Sequence, residues 1–230
     1  MNPYNTFKQN PFPRQHSMLE HLFDFAGINR FFLREGKRPH FRAEPNRIAS
    51  PVQGKLVEVQ TLNSSKPVTG KQTTIHTEFY SFEDIVHNET MRDRFENGVC
   101  VNIYLSPMDW HYVLSPFEWT MEKLDYHPNV CRPILFMKSG EITNERLVLY
   151  GRSFTQIPVI VVLIGSFMVA GLECIAKKGD VFKTGDLLGG FKLGSTVMML
   201  FPRDSVQIEI PPKTKLLPGE PIGRFVSQGH

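Results

Sequence analysis

Ile157-Pro158-Val159-Ile160-Val161-Val162-Leu163-Ile164-Gly165-Ser166-Phe167-Met168-Val169-Ala170-Gly171-Leu172 is the one stretch apolar enough to be mistaken for a membrane span, and its reading decides the fold. It falls short of the roughly 20 residues a spanning helix needs, and Pro158, Gly165 and Gly171 interrupt it. Val159 to Ile164 is rich in β-branched residues, and Gly165-Ser166 offers a turn or bulge. In a short apolar run these features favour a buried strand over a helix.

Downstream, Lys177-Lys178-Gly179-Asp180-Val181-Phe182-Lys183-Thr184-Gly185-Asp186 holds two Gly-Asp pairs around a short strand, which predicts compact β turns. Val197 to Phe201 and Val206 to Ile210 read as strands, and Pro211-Pro212 stops the second. Upstream, Ser50-Pro51-Val52-Gln53-Gly54 reads as a turn entering a strand from Lys55 to Gln60. Val99 to Leu105 and Arg146 to Tyr150 are further strands. Phe82 to Phe95 has helical spacing, with Ser81 placed to cap it. Residues 1–45 differ from the rest. Leu19, Leu22, Phe23, Phe25, Ala26, Phe31, Phe32 and Leu33 suit one or two amphipathic helices, and Arg30, Arg34, Lys37 and Arg38 lie beside them. Such a helix rests either on a bilayer surface or on the protein's own core. The sum is a mainly β chain of the α+β kind, with helices near its start.

Composition bounds the function. A 230-residue chain with 41% hydrophobic and 21% charged residues can bury a core without staples. A formal charge of +3 is too small an excess to imply nucleic acid, and suits an anionic membrane surface equally well. Cys100, Cys131 and Cys174 are odd in number and far apart, so neither a disulfide framework nor a zinc site is indicated. Cys100 and Cys174 sit in apolar strands and read as core residues. Met1 to Pro13 lacks the basic-then-apolar order of a secretory signal.

GxSxG, HExxH, Walker and GxGxxG patterns are all missing, which removes the common hydrolase and nucleotide readings. What remains is Leu193-Gly194-Ser195-Thr196 between two apolar strands. Glycine before serine lets the backbone bend and exposes the peptide carbonyl to the hydroxyl. With Gly189-Gly190-Phe191-Lys192 leading in, this segment resembles the self-cleavage site of the phosphatidylserine decarboxylase family, whose proenzymes are cut between Gly and Ser of an LGST motif. Tyr104-Leu105-Ser106-Pro107-Met108-Asp109-Trp110-His111 is similar to the family's YLSPxDYH segment, and Asn144-Glu145-Arg146 to its NER element. Phe79 to Asp84 resembles its YSLEDLL helix start. Ser50 to Lys55 sits where the family has a Pro-x-Asp-Gly turn.

The resemblance covers roughly residues 30–228 and implies the family's fold, with a barrel-sandwich-hybrid-like β core. It divides the chain into an N-terminal amphipathic, membrane-associating region at 1–45 and a decarboxylase-like domain at 46–230. It also implies a chemistry. The Ser195 hydroxyl attacks the Gly194 carbonyl, the ester eliminates, and hydrolysis leaves a pyruvoyl group at position 195. That carbonyl forms a Schiff base with phosphatidylserine and accepts the electrons released with carbon dioxide, giving phosphatidylethanolamine. His111 matches the first histidine of the DYHRxH motif and assists decarboxylation. No metal is implied. The expected partners are a phospholipid substrate and the cytoplasmic side of a membrane, held peripherally, with no nucleic acid; a homodimer is compatible with this.

Two departures stand against the matches. The family's triad pairs the serine with the turn aspartate and the second histidine of DYHRxH, and this chain has Gln53 and Leu114 there. Leucine cannot take a proton, and glutamine cannot stabilise an imidazolium by charge. Either another base, His111, His76 or His127, serves a slower cleavage, or the chain stays whole as a lipid-binding or scaffold protein. Val169 to Leu187 also resembles the hammerhead of biotinyl and lipoyl carriers. No hairpin-tip lysine of the carrier kind accompanies it, so that likeness concerns fold.

Overall fold

A computed structural model describes residues 7, 12, 18–27, 46–63, 68–72, 77–80, 82–86, 89–128, 145–165, 171–191 and 195–226. In chain order these form α1 (Met18–Phe25), β1 (Arg47–Ala49), β2 (Gly54–Thr61), β3 (Val68–Gln72), β4 (Thr77–Tyr80), α2 (Phe82–Val86), α3 (Glu89–Phe95) and β5 (Val99–Leu105). There follow β6 (Tyr112–Leu114), β7 (Trp119–His127), β8 (Arg146–Ser153), β9 (Pro158–Ile164), β10 (Leu172–Cys174) and β11 (Val181–Phe182). The chain closes with β12 (Leu187–Phe191), β13 (Ser195–Phe201), β14 (Val206–Ile208), β15 (Lys215–Leu216) and β16 (Pro221–Phe225).

Eight strands make one curled antiparallel sheet in the order β11-β7-β8-β9-β13-β5-β2-β15. Two three-stranded sheets, β10-β12-β6 and β1-β16-β14, pack on its inner face, and β3-β4 is a separate hairpin. The β-branched stretch from Val159 to Ile164 lies in β9, near the sheet's centre. Val159, Val161 and Leu163 face the inner core, while Ile160, Val162 and Ile164 face a second core under α2 and α3. Burial on both faces is why its sequence shows no polar alternation. Cys100 and Cys174 are buried as expected, and burial pushes both thiols up to about 12.

The two Gly-Asp turns form as read. Gly179 and Gly185 adopt φ of +92° and +89°, and the Asp180 and Asp186 carboxylates accept the amides of Lys177 and Lys183 at 2.8 and 2.7 Å. The expected single helix from Phe82 to Phe95 is instead two short ones. The Tyr150 hydroxyl donates to the Val86 carbonyl at 3.3 Å, taking the acceptor at which α2 ends. The expected cap Ser81 lies outside the described residues, as do Cys131 and the second N-terminal helix around residues 28–45.

At the start of the chain two aromatic side chains are buried and one short helix is exposed. Phe7 and Phe12 are buried on the core: the Phe7 ring stacks on Tyr112 at 5.8 Å, and Phe12 meets Tyr126 edge-on at 5.2 Å. The Phe12 amide donates to the Glu173 carboxylate at 3.3 Å. By contrast α1 exposes Met18, Leu22 and Phe25. Their i, i+4, i+7 spacing puts them on one helical face. Among the described residues no helix is long and apolar enough to cross a membrane.

Candidate active site

Ser106 and Asp109 build the local frame. The Asp109 amide donates to the Ser106 carbonyl at 2.9 Å, and the Asp109 carboxylate accepts the Ser106 amide at 2.7 Å, closing the turn on itself. This turn carries the chain from β5 in the large sheet to β6 in the small one. It delivers His111, whose side chain is fully buried. His111 Nδ1 lies 2.7 Å from the Asp109 carbonyl oxygen. A carbonyl only accepts, so Nδ1 carries the proton in that contact, and Nε2 becomes the position where a neutral ring takes up a proton. Burial, and then the Asp109 charge, raise the pKa of the neighbouring Tyr104 hydroxyl.

A second crossing between the same two sheets runs from β12 to β13 through residues 192–194, and pairing brings the two crossings together. The Phe191 amide donates to the His111 carbonyl at 2.9 Å, and Ser195 stands opposite Leu105. His111 and the backbone of Ser195 therefore belong to one junction, although 84 positions separate them in the numbering. Gly194 lies outside the described residues; Ser195 is the first residue of β13.

The turn at Pro51 to Gly54 completes the junction. Gln53 Oε1 accepts the Trp110 amide at 3.1 Å, and the Pro51 carbonyl accepts the Leu114 amide at 2.8 Å. Gln53 thus supplies the acceptor that fastens the turn to the His111 segment, without the charge an aspartate would bring. Gly54 enters β2 so close to β5 that a Cβ there would lie 2.5 Å from the Tyr104 carbonyl oxygen. Leu114 is buried in an apolar cluster with Phe7, Trp110, Tyr112 and Leu187. The position of the expected triad base is a packing position in this chain. His127, the last residue of β7, lies three strands from β13, about 14 Å at ordinary sheet spacing, and His76 is outside the described residues.

Two buried polar positions escaped sequence reasoning. Glu145, matched only as the middle of NER, is fully buried and holds both ends of the 166–170 connection. Its carbonyl accepts the Gly165 amide at 2.8 Å, and its carboxylate accepts the Gly171 and Leu172 amides at 2.8 and 3.2 Å and the Tyr126 hydroxyl at 2.8 Å. A lone acid directly before an apolar strand was the available signal. The second is Thr196, whose buried hydroxyl has no hydrogen-bond partner among the described residues. Among the described residues, no group of three or more His, Cys, Asp and Glu side chains is placed to hold a metal ion.

Comparison with known proteins gives the family. A sequence model of phosphatidylserine decarboxylase matches residues 26–224, which span every element of the junction. The chain belongs to the phosphatidylserine decarboxylase family. It is 30% identical over 213 residues to the phosphatidylserine decarboxylase proenzyme of Alcanivorax borkumensis, covering 81% of this chain and 71% of that one. It is 28% identical over 229 residues to the proenzyme of Glaesserella parasuis, covering 86% and 73%. Against the proenzyme of Saccharophagus degradans it is 26% identical over 235 residues, covering 89% and 79%. On either side of residues 192–194, β12 pairs with β6 and β10, and β13 pairs with β5 and β9.

Proposed function

We propose that this chain matures by cleavage between Gly194 and Ser195 and then decarboxylates phosphatidylserine to phosphatidylethanolamine. The observation that carries this reading is the junction at which the Phe191 amide meets the His111 carbonyl, beside an intact Leu193-Gly194-Ser195-Thr196 sequence. In maturation the Ser195 Oγ adds to the Gly194 carbonyl carbon, and the peptide C–N bond breaks as the ester C–O bond forms. Elimination then breaks the Cβ–O bond and releases the Gly194 carboxylate, and water replaces the nitrogen at position 195 as ammonia leaves. The geometry is intramolecular, so positioning supplies much of the rate even without a triad.

The pyruvoyl group so formed supplies an electron sink for the pair left when carbon dioxide departs. His111 handles the proton. Its Nδ1–H is committed to the Asp109 carbonyl, so Nε2 is the atom that takes up a proton and returns it to the substrate α-carbon. Its full burial keeps bulk water from competing for that step. For a lipid substrate, the exposed Met18, Leu22 and Phe25 face of α1 and the basic residues that follow it support peripheral attachment to the cytoplasmic, anionic face of a membrane.

Intact mass under denaturing conditions tests the reading. The expected result is one fragment ending at Gly194 and one beginning with a pyruvoyl-blocked position 195. A wild-type chain that stays whole at 26.4 kDa overturns it. The second reading, an uncleaved relative that binds a phospholipid head group, is favoured by the burial of Leu114 in an apolar cluster with Phe7. It predicts that cleavage appears only when Gln53→Asp and Leu114→His are combined. Cleavage at the same rate in wild type and double variant removes it.

A further inference from the structure

The outer face of the large sheet changes character at the level of Ser195. Toward the far end of β13 this face is apolar, with Val148, Val162, Met198 and Leu200 lying under α2 and α3. At the near end the pairings Arg146↔Ile164, Ile164↔Thr196, Thr196↔Tyr104 and Tyr104↔Lys55 set five residues side by side. Directly opposed residues of antiparallel strands project to the same side. Four of these five are polar or charged, and His127 extends the row beyond Arg146. Asn102, buried opposite Met198, adds a polar side chain one row further in.

Two members of the row are costly to bury. Arg146 is 6% exposed and Thr196 2% exposed. The Thr196 Oγ1 atom is enclosed and makes no hydrogen bond among the described residues. Valine has the same shape and would spare the desolvation of that hydroxyl. Retaining threonine is explained if its hydroxyl meets a ligand. The surroundings suit an oxyanion, which only accepts hydrogen bonds: hydroxyls at Thr196 and Tyr104, a guanidinium at Arg146, and an ammonium at Lys55. Arg146 and Lys55 each stand two strands from Thr196, about 10 Å of backbone spacing on either side. β3 packs against β2, β5 and β13, the strands that carry Lys55, Tyr104 and Thr196.

We propose that Thr196, with Tyr104 and Arg146, forms a subsite for an oxyanion of the substrate head group, carboxylate or phosphate, at the end of β13. β13 starts at Ser195, so this subsite lies one strand position from the bond expected to react. The assignment rests on the decarboxylase reading and names how that site holds its substrate.

The test uses the full chain carrying Ser195→Ala, which cannot turn over, titrated calorimetrically with sn-glycero-3-phospho-L-serine. Binding is expected, weakened about tenfold by Thr196→Val and also by Tyr104→Phe, and kept within about twofold by Thr196→Ser. Melting of each variant reads the fold, and Thr196→Val is expected to melt no lower than its parent. Separate titrations with glycerol 3-phosphate and with L-serine show which oxyanion Thr196 holds, from the ligand whose affinity falls in Thr196→Val. No binding by the Ser195→Ala chain, or equal affinity in Thr196→Val, overturns the subsite. The mass of the wild type from the same preparation separates the two ideas. A whole wild type with Thr196-dependent binding overturns maturation and keeps the subsite; a cleaved wild type with Thr196-independent binding does the reverse.

Discussion

Both ends of β13 pair with β5, and Thr196 to Leu200 pair with β9 as well, yet the two ends carry different side chains. From Val197 to Phe201 every residue is apolar and fully buried, alternating between the inner core and the core under the helices. At Ser195 and Thr196 the same strand carries two hydroxyls, and its neighbours in register include Tyr104 on β5. The far end is held by packing that many hydrophobic residues would satisfy. The near end spends stability on polar groups, which is a sign of chemistry in a strand so well supported.

The sharpest way to break the comparison is Ser195→Ala, which is expected to abolish cleavage completely and leave a chain of 26.4 kDa by mass. His111→Ala comes next: decarboxylation per cleaved molecule is expected to fall by about two to four orders of magnitude in an assay of carbon dioxide release. At the far end, Leu200→Ala should cost about 2–5 kcal/mol in a denaturant titration, because it empties a fully buried site. It should leave the cleavage rate of the folded fraction unchanged; a Leu200→Ala chain that folds normally and fails to cleave would erase the distinction between the two ends.

The smallest effect concerns pH. Cys100 and Cys174 are held at about 12 when folded, above the ordinary thiol value, so the folded state keeps protons that the unfolded state loses. Their contribution is fully present below about pH 9 and fades as pH rises toward 12. Stability measured across that window should decline, and less steeply in Cys100→Ala with Cys174→Ala. Both thiols should resist alkylation in the native state at pH 8, as read by peptide mass.

Legibility followed sequence distance and burial. β5, β9 and β13 could be read because long β-branched or apolar runs buried on two faces leave little else for the chain to be. β12, expected only as an apolar strand somewhere before Gly194, and β16 had no readable bounds: Leu-Leu-Gly-Gly-Phe and Pro-Ile-Gly-Arg-Phe carry glycine or proline and look like turns. They are strands because partners hold them. At Gly189 the partner comes so near that a Cβ would lie 2.3 Å from the Glu173 carbonyl oxygen. The expected helix from Phe82 to Phe95 was also illegible in part, since the partner of the Val86 carbonyl, where the first of the two short helices ends, is Tyr150, 64 positions away.

By itself the sequence determined a mainly β chain, six of the eight strands of the large sheet (β2, β5, β8, β9, β11 and β13), the Gly194-Ser195 candidate bond and the departures at positions 53 and 114. These are local properties of composition, period and motif. Only the tertiary structure decided that Gln53 grips the Trp110 amide, that Phe191 meets His111, that Leu114 packs under Phe7, and that Thr196 is buried with its hydroxyl unmet. Each of these depends on the register between distant strands or on which face a side chain turns to, and both are set only when the sheets close around a common core.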